Sequence, residues 1–278
     1  MTLPVFLAVL AAALLHAGWN ALVKIGLDRF SSVLSIALVV GVVALLLIPF
    51  FPLPARPAWP WVLAGSMLHT GYKLFLIRAY RHGELGEVYP LARGTAPLLV
   101  GLFGLLFLGE RPSLLQGAAM LAIAGGILLL ARGSPGRRIA PQAMLYAFGT
   151  AGFTAAYTLV DGVGARMAGT AAGFILWLFL FDGLFMLGFA LATRGPAALR
   201  ALLPAWRPGI AAGLMSLGSY WIVVWAFTQA PLGLVAALRE TSVLFALLLG
   251  AFLLNERIGA ARWAAAGLIL AGIVLMRL

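Results

Sequence analysis

The chain has 278 residues, 63% of them hydrophobic and only 10% charged, with a formal net charge of +11. A water-soluble domain needs about a quarter of its residues charged, so the composition excludes one and points to lipid as the main solvent. The positive excess does not indicate nucleic acid, because the basic residues sit in short gaps between apolar runs and form no single patch.

In chain order, ten apolar runs predict helices over 3–23, 33–52, 58–79, 86–108, 113–131, 142–161, 171–192, 208–228, 233–254 and 260–277. Each is long enough to cross about 30 Å of hydrocarbon. No basic region precedes the first run, which is therefore read as a span and not as a signal peptide. Breakers fill the gaps: Pro52 to Pro57, Glu110-Arg111-Pro112, and Gly133 to Gly136. The longer gap 193–207 places Leu199, Leu202, Leu203 and Trp206 along the membrane interface. The most polar stretch, 132–141, divides the chain into units 1–131 and 142–278, with five spans on either side. The predicted fold class is an all-α membrane protein of ten transmembrane helices.

The two units repeat. Leu108-Gly109-Glu110-Arg111 returns as Leu254-Asn255-Glu256-Arg257, and Arg93 and Thr95 return at the same spacing as Arg239 and Thr241. An odd number of spans per unit turns the second upside down relative to the first, and inverted repeats of this kind usually build a transporter with its site between the halves. The charges agree. Lys24, Arg29, Arg78, Arg81, Arg132, Arg137, Arg138, Arg194, Arg200, Arg207, Arg257 and Arg262 flank one side, and only Arg56, Arg111, Arg166 and Arg277 the other. The positive-inside rule puts the heavy side in the cytoplasm and both termini outside.

Polar groups at membrane depth mark candidate function. Arg93 and Arg239 lie at equivalent positions of the fourth and ninth spans; they either line a cavity as cations or form a structural ion pair with Glu240. The third span carries His69, Tyr72 and Lys73 on one face, and the eighth answers with Ser216, Ser219 and Tyr220. These two faces either share an aqueous cavity or hydrogen-bond within the bundle. His69 is a candidate for proton coupling, as is Asp182 in the seventh span, which is otherwise a neutral carboxyl bonded to a neighbouring helix. His16, Trp19 and Asn20 repeat the pattern on the first span, with Tyr157 on the sixth and Asp161 at its end. Trp19 either stacks a ligand or fills a helix contact. Trp221 and Trp225 are cavity wall or lipid-facing surface, whereas Trp59, Trp61, Trp206 and Trp263 read as interfacial anchors. Pro90 and Pro97 flank Arg93 and suit a gating hinge, and Tyr89 precedes them. The fifth and tenth spans carry small residues four apart, Ala122 with Gly126 and Gly267 with Ala271, and are assigned to scaffold or dimer contact.

The five-plus-five duplication, the Gly/Asn-Glu-Arg turn after the fourth and ninth spans, and the opening His16-Ala-Gly-Trp-Asn-Ala-Leu-Val-Lys24 resemble the EamA branch of the drug/metabolite transporter superfamily. Size and aromatic-rich interior are similar to those of a bacterial aromatic amino acid exporter. The resemblance implies a central cavity lined by the first, third, fourth, sixth, eighth and ninth spans. Its matching positions are Trp19, Tyr72, Lys73, Arg93, Tyr157, Tyr220 and Arg239; Asn20, His69, Tyr89, Ser219 and Glu240 complete the candidate set.

The expected function is inner-membrane export of amino acids or related metabolites by alternating access, with Arg93, Arg239, Lys73 and tyrosine hydroxyls holding a carboxylate. The small-molecule solute and the bilayer are the expected partners, with the chain a monomer or homodimer. An excess of cavity cations would favour a zwitterion or anion. A multidrug exporter of organic cations is the alternative, and it would need an unpaired carboxylate, for which Asp182 and Glu240 are candidates. No metal cluster, phosphate loop or Ser/His/Asp motif is present in the sequence, so neither an enzyme nor a cofactor is expected.

Overall fold

The computed structural model describes residues 1–23, 28–82, 85–130, 140–254 and 259–277, with side chains for all of these except 23, 80, 85–89 and 249–254. Most of the linker expected at 132–141, the turn Asn255-Glu256-Arg257, and the side chain of Tyr89 lie outside the described residues. The helices are α1 (Leu3–Val23), α2 (Arg29–Leu47), α3 (Trp59–His82), α4 (Leu85–Phe107), α5 (Leu114–Leu130), α6 (Pro141–Met167), α7 (Ala171–Arg194), α8 (Ala197–Arg200), α9 (Trp206–Phe227), α10 (Leu232–Arg239), α11 (Ser242–Leu254) and α12 (Ala260–Arg277). The protein is an all-helical membrane bundle of ten spans. Among the described residues, seven helices are long and apolar enough to cross a membrane on those grounds alone. The other three spans are α3 with its polar face, the 17-residue α5, and the interrupted pair α10–α11.

Two differences from the sequence reading matter for the site. The sixth span continues to Met167, so Asp161 lies inside α6 and is fully buried, not at a helix end. The ninth span breaks at Glu240-Thr241 into α10 and α11, joined by short backbone bonds such as Thr241 N to Leu238 O at 3.1 Å. Its repeat equivalent, α4, runs unbroken through Pro90 and Pro97.

The packing is two-fold. α3 packs on α6, and its counterpart α9 packs on α1; α3 also meets α7, and α9 meets α2. α2 pairs with α7, and α5 with α12, each a helix against its own counterpart. Each half therefore covers its apolar faces with helices of the other half. The α5–α12 crossing shows the symmetry atom by atom. A Cβ on Gly126 would meet Ile269 Cγ1 at 2.7 Å and the Ala265 carbonyl at 2.9 Å. A Cβ on Gly272 would meet Ile123 Cγ1 at 2.6 Å and the Ala119 carbonyl at 2.8 Å. These helices are scaffold within the chain. Of the small residues singled out, Gly126 serves the crossing, while Gly267 has nothing within 4 Å.

On the basic side, Asp28 caps α2 by accepting from Phe30 N at 3.0 Å and Ser31 N at 3.3 Å, and it pairs with Arg194 at 3.3 Å. Burial raises the Asp28 carboxyl, but hydrogen bonds from Ser31 and Phe30 and the Arg194 charge outweigh it and hold it below the usual carboxylate range. This cap is thus formed at neutral pH and weakens as pH falls through that lowered value. On the other side, Glu110 accepts from Leu232 N at 2.8 Å at the start of α10, and Arg166 holds it at 3.3 Å. The Gly-Glu-Arg turn is thereby a cap for the first half-helix of the broken span.

Gly126→Leu and Gly272→Leu should each destabilise the detergent-solubilised protein by about 1–3 kcal/mol or more through overpacking. The two losses should be alike because the environments are equivalent. Gly267→Leu should melt with the unsubstituted chain in the same thermal unfolding assay.

Candidate functional site

Buried polar chemistry gathers where α1, α3, α4, α6, α7, α9 and the α10–α11 break converge. The two repeat-equivalent arginines meet on one carboxylate. Arg93 Nε lies 2.7 Å from Glu240 Oε2, and Arg239 lies 3.1 Å from Glu240 Oε1. Arg93 also donates to Ser242 Oγ at 3.3 Å and to His16 Nε2. Arginine can only donate, which leaves the His16 ring proton on Nδ1. The approach of Trp19 Nε1 to that nitrogen is then an edge contact, with ring centroids 4.9 Å apart at 75°, and not a second hydrogen bond.

A second group centres on Asp161. Its Oδ2 lies 2.8 Å from His69 Nε2 and accepts from the Tyr220 hydroxyl at 2.6 Å. His69 stacks on Tyr157 at 4.1 Å and meets Tyr220 and Phe179 edge-on. Asp161 Oδ1 lies against the backbone of Gly65, and a Cβ there would be driven into that oxygen and come within 2.9 Å of Leu178. The third group is Lys73 with Asp182, whose Oδ1 also accepts from Thr70 at 3.0 Å.

A cavity of about 90 Å³ lies among these groups. Trp19, His69, Tyr72, Lys73, Tyr157, Ser219, Tyr220 and Arg239 of the candidate set line it. His16, Phe179, Asp182 and Ser216 line it too, together with Val33, Ile36, Ala37 and Val40 of α2. The wall therefore draws on α2 and α7, while Arg93, the α4 candidate whose side chain is described, is not on it. Arg93 and Glu240 sit behind the wall as ion-pair partners. Asn20 turns back along its own helix to the His16 carbonyl at 2.8 Å and is absent from the wall. Ser219 reaches the cavity but donates to the Ala12 carbonyl at 2.8 Å, tying α9 to α1. Trp225 is partly exposed and Trp221 packs on Phe51; neither is cavity wall.

The expected cations all have carboxylate partners: Lys73 faces Asp182, and Arg93 and Arg239 share Glu240. The expected solute-binding set lacked Asp161 and Asp182, the latter having been singled out as a proton carrier or a cation partner and not as a partner of Lys73. Asp161 was hidden by placing the helix end too early, while the Lys73–Asp182 spacing of 109 residues has no local signature. The two carboxylates that an organic-cation exporter would leave unpaired, Asp182 and Glu240, each face a cation.

A ten-span inverted-repeat bundle around a central cavity that buried charged groups border defines a membrane transporter. The profile of the EamA-like transporter family matches residues 3–132 and again 141–278, and the chain belongs to that family. It is 23% identical over 227 residues to "Uncharacterized transporter YwfM" of Bacillus subtilis (strain 168), covering 79% of this chain and 73% of that protein. A shorter match, 40% identical over 77 residues, reaches "Uncharacterized transporter in cobO 3'region" of Sinorhizobium sp, covering 27% of this chain and 54% of that protein. A solved crystal structure superposes with a TM-score of 0.71 at 19% identity, over 98% of this chain and 94% of that one, a likeness of fold.

Glu240→Gln should be among the most damaging single changes, because it leaves two buried arginines without their counter-charge; a loss of about 3–5 kcal/mol is expected. Adding Arg93→Met restores the original net charge of the cluster and should recover part of the melting temperature. Gly65→Ala should lower stability and transport together, since its methyl group would displace Asp161 from His69 and Tyr220. Thermal melts and solute flux of the same preparations check both expectations.

Proposed function

We propose that the protein is a secondary transporter of the inner (plasma) membrane that exports amino acids, above all aromatic and other apolar ones, or related small metabolites. The observation that carries this reading is the cavity itself. It lies between residues of both halves, is walled by Trp19, Tyr157, Phe179 and aliphatic side chains, and presents Lys73, Asp182 and Arg239 among them. Rings and aliphatic groups suit an apolar side chain, and the charged groups suit the ionised end of a small solute.

The repeat units 1–131 and 142–278 would exchange access to this cavity between the two membrane faces. About 90 Å³ is small beside the roughly 300–1,000 Å³ of ordinary ligand sites, so solute entry requires the wall to open. Because α3 packs on α6 and α1 on α9 across the halves, opening by helix bending fits better than separation of two rigid halves. The break at Glu240-Thr241 offers one bending point; Pro90 and Pro97 in α4 are the matched candidates in the other half. The organic-cation reading has less support, since its carboxylates are neutralised within the protein.

Purified protein in liposomes loaded with unlabelled L-phenylalanine should accumulate labelled L-phenylalanine by exchange, well above empty vesicles. Flux no higher than that of empty vesicles across the full set of proteinogenic amino acids would overturn the proposal.

A further inference from the structure

We infer that Lys73 and Asp182 form a charge pair which the solute displaces, and that this pair selects solutes carrying an ammonium and a carboxylate together. The inference rests on the transport reading above and assigns its selectivity to two residues, one from each half of the chain.

The three buried acid–base groups differ in one respect. In the arginine–glutamate cluster only Arg239 reaches the cavity wall, and in the His69–Asp161 pair only His69 does. Lys73 and Asp182 both lie on the wall. Theirs is the pair whose positive and negative ends are both open to a bound molecule. Their side chains are 13% and 3% exposed, so neither charge is sustained by bulk water when its partner leaves.

That burial sets the rule for displacement. A neutral apolar solute offers nothing in exchange for the broken pair. An amine can satisfy Asp182 but strands Lys73, and a carboxylic acid does the reverse. A zwitterion replaces one ion pair by two and strands nothing. The geometry of the pair suits the exchange. Asp182 Oδ1 stays bonded to Thr70 at 3.0 Å, which holds the carboxylate in place when Oδ2 is released. Lys73 is a point charge on a flexible four-carbon stem and can swing to a new partner. Phe179, Leu76, Tyr157 and Val40 on the same wall would receive the apolar part of the solute. The pair also clasps α3 to α7, which pack together across the two halves. Its displacement would therefore loosen a contact that opening of the cavity must break.

The test compares L-phenylalanine with 2-phenylethylamine, which lacks the carboxylate, and 3-phenylpropionate, which lacks the ammonium. Each is used as a competitor of labelled L-phenylalanine exchange in proteoliposomes and as a ligand in thermal-shift titration. The unsubstituted protein should bind L-phenylalanine at least about thirtyfold more tightly than either analogue. Lys73→Met should shift the preference toward the amine, and Asp182→Asn toward the acid, an inversion that a merely structural ion pair would not produce. Lys73→Met with Asp182→Asn removes both charges, leaves neither stranded, and should bind the three compounds alike. Equal binding of the three by the unsubstituted protein, or an unchanged ranking in the double variant, would overturn the inference. Equal transport of all three compounds leaves the transporter standing without this selectivity. No transport of any of them, nor of any other proteinogenic amino acid, removes the amino acid reading itself.

Discussion

A charge carried into hydrocarbon is tolerable when an opposite charge meets it there, and the centre of this bundle is arranged around that constraint. Lys73, Arg93 and Arg239 come from three different spans, and so do Asp161, Asp182 and Glu240. Lys73 and Arg93 each meet a carboxylate that the bundle must bring to them, and Arg239 shares with Arg93 the Glu240 beside it in the chain. Assembly of the spans is therefore also neutralisation of the centre. A helix that failed to dock would leave a charge in lipid as well as a groove between neighbours. The same arrangement explains why charged groups survive around a cavity in so apolar a chain: they are held by one another and not by bulk water.

The two-fold repeat supplies the frame but not the chemistry. Gly126 and Gly272 meet Ile269 and Ile123 in reciprocal contacts, and Arg93 and Arg239 reach a common centre from opposite halves. Glu240 has no counterpart. The equivalent residue is Gly94, where a Cβ would already meet Leu128 at 2.8 Å and the Ala124 carbonyl at 3.2 Å. No carboxylate fits there, because α5 closes against α4 at that level. One glutamate therefore serves both arginines, and the helix that carries it is the one that breaks. Duplication gave a symmetric scaffold, and the departures from symmetry created the site.

The legibility of the site follows the range of the interactions. His69, Tyr72 and Lys73 were visible as one face of α3 because helical periodicity is local. The pairing of arginine with Glu240 was open to the sequence, since Arg239 and Glu240 are adjacent and Arg93 is tied to Arg239 by the repeat. Asn20 looked like a site residue because it follows His16 by one helical turn, yet its amide turns to that residue's carbonyl. Asp161 was placed at a helix end; in the structure the helix continues past it, and His69 and Tyr220 supply the partners a buried carboxylate needs.

Composition, span length, the repeat of Arg93 at Arg239 and of Glu110 at Glu256, and the uneven loop charges determined by themselves that this chain is an inverted-repeat membrane bundle of ten spans. Those features are written into consecutive residues, and lipid enforces them span by span. Which carboxylate meets which cation, which helices wall the cavity, and where the ninth span breaks were decided by tertiary structure alone. These depend on the approach of side chains far apart in the chain, as with Lys73 and Asp182, and no local pattern encodes a distance that only the packed bundle sets.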